Sequence, residues 1–214
     1  VGIDPSAKEL RRLSSALRKR PASGADGAGG PSVRLLHGSI DALPAAGVDG
    51  ADLMILVEVV EHLDPSALDA LGPILLGRCA PARLVVTTPN KEFNVNWLYP
   101  DHASTPPPPM STWALRCSDH RFEWTRDEFR EWATGLAAAH GYALSFRGVG
   151  CDLGAPFPGP ITQVAIFERA APANAATPRA IWDASGLAVA SSTIDEIYAS
   201  SSPPRSTPPD AQAA

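Results

Sequence analysis

The stretch Asp52-Leu53-Met54-Ile55-Leu56-Val57-Glu58 decides the fold. A continuous apolar run of this kind reads as a strand covered on both faces, the character of strands in an α/β sheet. Downstream, a helix starts near Pro65 and carries Leu68, Leu71, Leu75 and Leu76, and Arg83 to Thr88 forms a further buried strand stopped by Pro89-Asn90. Upstream, Val33 to Leu36 is a short strand ended by His37-Gly38-Ser39. Val1 to Asp4 is the end of another, after which Pro5-Ser6 opens a helix with Leu10, Leu13 and Leu17 at helical spacing. Thr125-Arg126-Asp127-Glu128 is a capping box, and its helix runs through Phe129, Trp132 and Leu136 to His140-Gly141. Tyr142 to Phe146 and Thr162 to Phe167 add two strands. This alternation predicts a mostly parallel α/β sheet with right-handed crossovers.

Of the chain's 214 residues, 44% are hydrophobic, enough to bury one core. Eighteen basic residues against twenty-three acidic give a net charge of −5, so no general basic surface holds a nucleic-acid duplex. The 22 prolines cluster in loops, four of them consecutive at 106–109 within the loop from Tyr99 to Met110. Residues 20–32 are a flexible connection, and 170–214, rich in Ala, Pro and Ser, are a disordered tail with a weak helix around Ile194 to Tyr198. The folded domain is therefore expected over 1–169. Three cysteines, Cys79, Cys117 and Cys151, with no Cys-x-x-Cys pair, argue against a disulfide framework and for a reducing compartment, the cytoplasm or nucleus. No apolar run approaches about 18 residues, so no membrane span is expected. A start at Val1-Gly2-Ile3-Asp4, inside a strand, reads as a fragment.

Chemistry concentrates at three places. Glu58-Val59-Val60-Glu61-His62 closes a strand at the end of a parallel sheet where ligands bind. A helical turn there would put Glu58, Glu61 and His62 on one face, and a divalent cation would resolve the repulsion between the carboxylates. Solvated loop carboxylates beside a capping histidine are the alternative. His120, in Ser118-Asp119-His120-Arg121-Phe122-Glu123-Trp124, is placed by the start of the capped helix and is a candidate fourth ligand, or a structural histidine. Asp4 stands where nucleotide-binding α/β folds place a carboxylate for ribose hydroxyls, and Ser39 follows the next strand.

Taken in order, Val1-Gly2-Ile3-Asp4, His37-Gly38-Ser39-Ile40, Glu58-Val59-Val60-Glu61-His62, Thr88-Pro89-Asn90-Lys91-Glu92-Phe93-Asn94 and Asp119-His120-Arg121-Phe122-Glu123-Trp124-Thr125-Arg126 resemble the small-RNA 3′-terminal ribose 2′-O-methyltransferases. These are the enzymes that act on microRNAs and Piwi-associated RNAs. The resemblance covers residues 1 to about 168. It implies an S-adenosylmethionine-dependent, Rossmann-like α/β fold of strand order 3-2-1-4-5-7-6, whose first strand and Gly-rich cofactor loop would precede Val1. The strands at Val1 and Asp52 would then lack their shared neighbour. The resemblance further implies a magnesium or manganese ion held by Glu58, Glu61, His62 and His120, with Asp4 on the ribose of S-adenosylmethionine and Ser39 at its adenine.

The implied activity is metal-dependent methylation of the 2′-hydroxyl of the last nucleotide of a small RNA, with an Argonaute or Piwi-type protein presenting the end. A metal-dependent hydrolase and a cofactor-free binding module of the same fold are the alternatives. The hydrolase gives Asp4 and Ser39 no task.

Overall fold

Three short parallel strands make the first sheet of the computed structural model, which describes residues 1–18, 34–40, 47–170 and 197–199. The chain divides into two units, one comprising Val1–Ala42 with Asp183–Ala214 and the other Leu43–Trp182. In the first, β1 (Gly2–Asp4) pairs in parallel with β2 (Leu35–His37), Asp4 opposite His37, and β7 (Ile197–Ala199) pairs with the other edge of β2. The strand at 197–199 stands where a weak helix was expected, because an extended segment can satisfy the free edge of β2. The remainder of the expected tail and the connection at 20–32 lie outside the described residues.

Helix α1 (Ala7–Arg18) begins where the Ser6 hydroxyl accepts a hydrogen bond from the Glu9 amide at 3.3 Å. Its buried positions are Leu10 and Ser14, with Leu13 exposed. The inward stripe therefore steps by four residues at a position where the leucine spacing had suggested three.

The second unit is built on a sheet of order β3-β4-β6-β5, comprising β3 (Leu53–Val57), β4 (Arg83–Pro89), β5 (Tyr142–Val149) and β6 (Thr162–Arg169). β3 and β4 run parallel, while β6 is antiparallel to both β4 and β5. The order reproduces the 4-5-7-6 half of the expected sheet, with β2 beside β1 reproducing the 3-2 half. β1 and β3, the strands expected to lack a shared neighbour, belong to different sheets.

One face of this second sheet carries Leu84, Val86 and Thr88 of β4 opposite Phe167, Ala165 and Gln163 of β6, all buried. Against it lies α4 (Arg126–His140), which buries Phe129, Ala133 and Ala137 and meets the π-helical segment Pro73–Cys79 that continues α2 (Pro65–Gly72); the short α3 (Val95–Leu98) falls between them in the chain. Pro73 has no amide to donate, and the Ala80 amide reaches back five residues to the Leu75 carbonyl, the wider π pattern. The opposite face of β3 is uncovered: Leu53, Ile55 and Val57 are exposed, whereas Leu56 is buried. The expectation of a strand covered on both faces fails here: among the described residues β3 is an edge strand of its sheet and its Leu53, Ile55 and Val57 face is left exposed.

The Thr125–Glu128 capping box is formed in both directions, and Gly141, with φ of 71°, ends α4 in the left-handed conformation. The proline loop folds back on itself, the indole of buried Trp113 donating to the Pro108 carbonyl at 2.9 Å. Among the described residues no helix is long and apolar enough to cross a membrane.

Candidate functional site

The Glu58–His62 motif leaves β3 through a sharp change of backbone direction. Glu58 has φ of 51°, left-handed backbone that costs a non-glycine residue on the order of 1 kcal/mol or more, and a short 3-10 turn over Val60–His62 follows. Adjacent residues of β4 then separate the motif's two carboxylates. Thr88, on the helix-covered face, donates through Oγ1 to Glu61 Oε2 at 3.1 Å. Thr87, on the opposite face, donates through Oγ1 to Glu58 Oε1 at 2.9 Å and accepts from the Glu58 amide. Because side chains alternate across a strand, the two glutamates are held on opposite sides of β4. The Glu58 carboxylate is paired instead with Arg116 at 3.6 Å, whose guanidinium lies 5.5 Å from the Trp97 ring centre.

Glu61 is fully buried, and burial pushes its carboxyl above the ordinary carboxylate range, with the charge of Glu58 adding to the shift. The second histidine reaches it through the loop before α4: the Arg121 amide donates to the Glu61 carbonyl at 2.7 Å and so registers His120 beside the motif. The rings of His62 and His120 meet edge to face with centres 4.9 Å apart. One donor atom each from Glu61, His62 and His120 falls within 4.8 Å of the others.

Two further contacts orient the imidazoles. His120 Nδ1 lies 2.6 Å from Oε1 of Glu123, whose side chain is wholly buried. His62 Nδ1 lies 3.2 Å from the Asp119 carbonyl. In both rings Nε2 is left for a ligand, the arrangement in which a carboxylate or carbonyl fixes the tautomer of a metal-binding histidine. Glu123 is itself held, Oε1 by the Arg116 amide and Oε2 by the Asn94 side chain. Glu61 Oε1 is buried without a hydrogen-bond partner among the described residues. A carboxylate oxygen in that state is costly, and a cation facing two imidazoles and this oxygen removes the cost. The residues therefore fit a divalent ion.

The Asn90–Arg126 region locks this loop to the sheet. Asn90 donates to the Pro158 and Pro160 carbonyls, the Lys91 amide donates to the Trp124 carbonyl, and Arg126 holds Glu92 through Nε at 2.9 Å and through its terminal nitrogen at 2.6 Å. In the other unit, the Asp4 carboxylate accepts from the Ser6 amide at 2.6 Å. Asp4 lines a cleft of about 420 Å³ with Gly2, Ile3, Leu10 and Leu13. Ser39 follows β2 and is not among the residues lining that cleft.

No family model matches the chain. It is 35% identical over 139 residues to a small RNA 2′-O-methyltransferase of Rattus norvegicus, covering 64% of this chain and 32% of the relative. It is 33% identical over 177 residues to a small RNA 2′-O-methyltransferase of Arabidopsis thaliana, covering 80% of this chain and 18% of the relative. The chain thus spans a third or less of either. Among solved structures, small RNA methyltransferase HEN1 is 32% identical with a TM-score of 0.61, covering 78% of this chain and 20% of that one. The methyltransferase domain of bacterial CtHen1 is 30% identical with a TM-score of 0.57, over 79% of this chain and 76% of that domain. The chain belongs to the small RNA 2′-O-methyltransferase family.

For this small RNA 2′-O-methyltransferase family member, the expected ligands Glu61, His62 and His120 come together and Glu58 stands outside their group. Sequence reasoning missed Glu123, Asn94 and Thr88 as supports of that group. For Glu123 a signal existed, since it lies three residues after His120 on the same loop. For Thr88 none did, because its role depends on which face of β4 it occupies. All three cysteines are free.

Proposed function

We propose that the protein transfers a methyl group from S-adenosylmethionine to the 2′-hydroxyl of the 3′-terminal ribose of small RNAs, with a divalent cation at Glu61, His62 and His120. The observation that carries this reading is the unpartnered, buried Glu61 Oε1 beside two oriented imidazoles, in a chain whose relatives are named for that reaction. When bound, a divalent cation lowers the pKa of a coordinated hydroxyl and so replaces a dedicated general base. Glu123 keeps the His120 lone pair on Nε2 and stops the ring from turning. Thr88 holds one oxygen of Glu61, while the other has no hydrogen-bond partner among the described residues. With two nitrogen donors to one oxygen, the set suits manganese better than magnesium.

Asp4, at the end of β1 on a cleft within the roughly 300–1,000 Å³ range of small-molecule sites, would accept hydrogen bonds from the cofactor ribose; the role of Ser39 at the adenine rests on the family resemblance alone, since it does not line this cleft. The net charge of −5 leaves the RNA body to other surfaces, an Argonaute or Piwi-type protein among them, in the cytoplasm or nucleus.

The test is end chemistry. RNA with a free 2′,3′-diol should be methylated at its last nucleotide only, and the same RNA with a 3′-phosphate, a 2′-deoxy end or a 3′-deoxy end should not react. Methylation of internal nucleotides, or indifference to a 3′-phosphate, would refute the reading.

A further inference from the structure

Beside the Glu61 group lies a second set of donor atoms, two of which the methyl-transfer reading does not use. The sulfur of Cys117, a carboxylate oxygen of Asp119 and a ring nitrogen of His120 fall within 4.8 Å of one another. Local backbone brings them together: the His120 amide donates to the Cys117 carbonyl at 3.3 Å, closing a turn whose first and last residues are two of the three donors. Donors bound at about 2.0–2.3 Å around a tetrahedral ion lie about 3.3–3.8 Å apart, so the set closes on a cation with side-chain movements of about 1 Å. Cys117 is exposed and the Asp119 side chain is 73% exposed, so both have the freedom to make them. His120 supplies the rigid corner, its side chain 5% exposed and its Nδ1 committed to Glu123.

The chemistry of the two sets differs. Glu61, His62 and His120 offer one oxygen and two nitrogens. Cys117, Asp119 and His120 offer sulfur, oxygen and nitrogen, and a thiolate shifts preference strongly toward zinc and cobalt and away from magnesium. The sets are also not independent. His120 belongs to both, and with Nδ1 on Glu123 it has one ring nitrogen left to give. Asp119 ties them further, its Oδ2 lying 3.6 Å from His62 Nδ1.

We propose that Cys117, Asp119 and His120 form a thiophilic cation site for zinc that competes with the Glu61–His62–His120 set for the His120 imidazole, so that zinc binding displaces the other ion. The site itself stands on geometry; the competition rests on the reading of Glu61, His62 and His120 as a metal centre. Zinc is then an inhibitor that acts by taking a ligand away, and the turn 117–120 is where it enters.

Cobalt(II) and manganese(II) separate these claims. The intact protein titrated with cobalt(II) should develop a near-ultraviolet thiolate-to-cobalt charge-transfer band that is absent in Cys117→Ser and retained in both Cys151→Ser and Glu61→Gln. Manganese(II) binding, read by loss of the free-ion paramagnetic resonance signal, should survive in Cys117→Ser and fail in Glu61→Gln. Zinc should displace manganese from the unaltered protein at a concentration on the order of tenfold or more below that needed with Cys117→Ser. A cobalt band undiminished in Cys117→Ser, or no band in the unaltered protein, would overturn the site. Zinc and manganese bound together, or equal displacement in both proteins, would overturn the competition. Failure of manganese to bind the unaltered protein would remove the metal centre and with it the competition, a result the cobalt band reports independently.

Discussion

His120 concentrates the chemistry of the second unit in one ring: Nδ1 belongs to a buried carboxylate, and the ring stands in one donor group with Glu61 and His62. Replacing His120 by Ala should abolish methyl transfer and manganese binding while leaving S-adenosylmethionine affinity within about twofold, measured by calorimetry with the cofactor alone. Asp4→Ala should do the reverse, weakening the cofactor by about 1.5–3 kcal/mol, roughly 10- to 150-fold, through loss of a charged hydrogen bond. Cofactor binding that collapses in the His120 variant would sink this division of labour. Glu123→Gln tests the support alone. It keeps the volume but loses the negative charge behind the imidazole, and metal affinity should fall about 10- to 100-fold with the thermal midpoint little changed.

At the scale of elements, the period-two alternation of β4 sorts the two glutamates. Thr88→Val removes the bond to Glu61 Oε2 and leaves the carboxylate with no side-chain partner among the described residues, so it should lower both stability and manganese affinity, the former by about 1–3 kcal/mol. Thr87→Val acts on the other face, where Glu58 retains Arg116, and should leave manganese affinity unchanged. Equal losses in the two variants would show that the carboxylates act as one group. β5 carries a separate prediction. Burial raises the Tyr142 phenol, which donates to the Pro81 carbonyl, above its ordinary value of 10.0, and burial likewise raises Cys79 above 9.0. The folded chain then holds protons that the unfolded chain has released, so stability is intact below these ordinary values and declines as pH rises through and above them. Denaturant unfolding should show this alkaline decline, and Tyr142→Phe should flatten the part above about pH 10.

For the molecule as a whole, the charge of −5 limits how RNA is held. Binding of a single-stranded RNA should show a salt slope of magnitude below about 2, the equivalent of two or three phosphate contacts at about 0.7 each, and should gain little from added length beyond the 3′ end. Filter binding between low and moderate salt measures this. A steep slope would mean that a phosphate-tracking groove exists on surfaces the net charge conceals.

The order of strands and helices was legible in the residues. Continuous apolar runs at Asp52–Glu58 and Arg83–Thr88, the Thr125–Glu128 cap and the Gly141 stop are local signals whose physics involves only near neighbours. The motifs likewise pointed to Glu58, Glu61, His62 and His120 as a donor set, because donor chemistry is intrinsic to the residues; the structure groups three of them. Which faces and edges those elements would present was not legible. That Leu53, Ile55 and Val57 are exposed depends on what the described residues place on each face of the sheet and on β3 standing at its edge. That Glu58 turns away depends on a left-handed residue at the end of β3 and on Thr87 and Thr88 belonging to opposite faces of β4. Spacing along the chain sets which groups are available, but convergence is decided by pairing between strands distant in sequence, and only the tertiary structure contains that pairing.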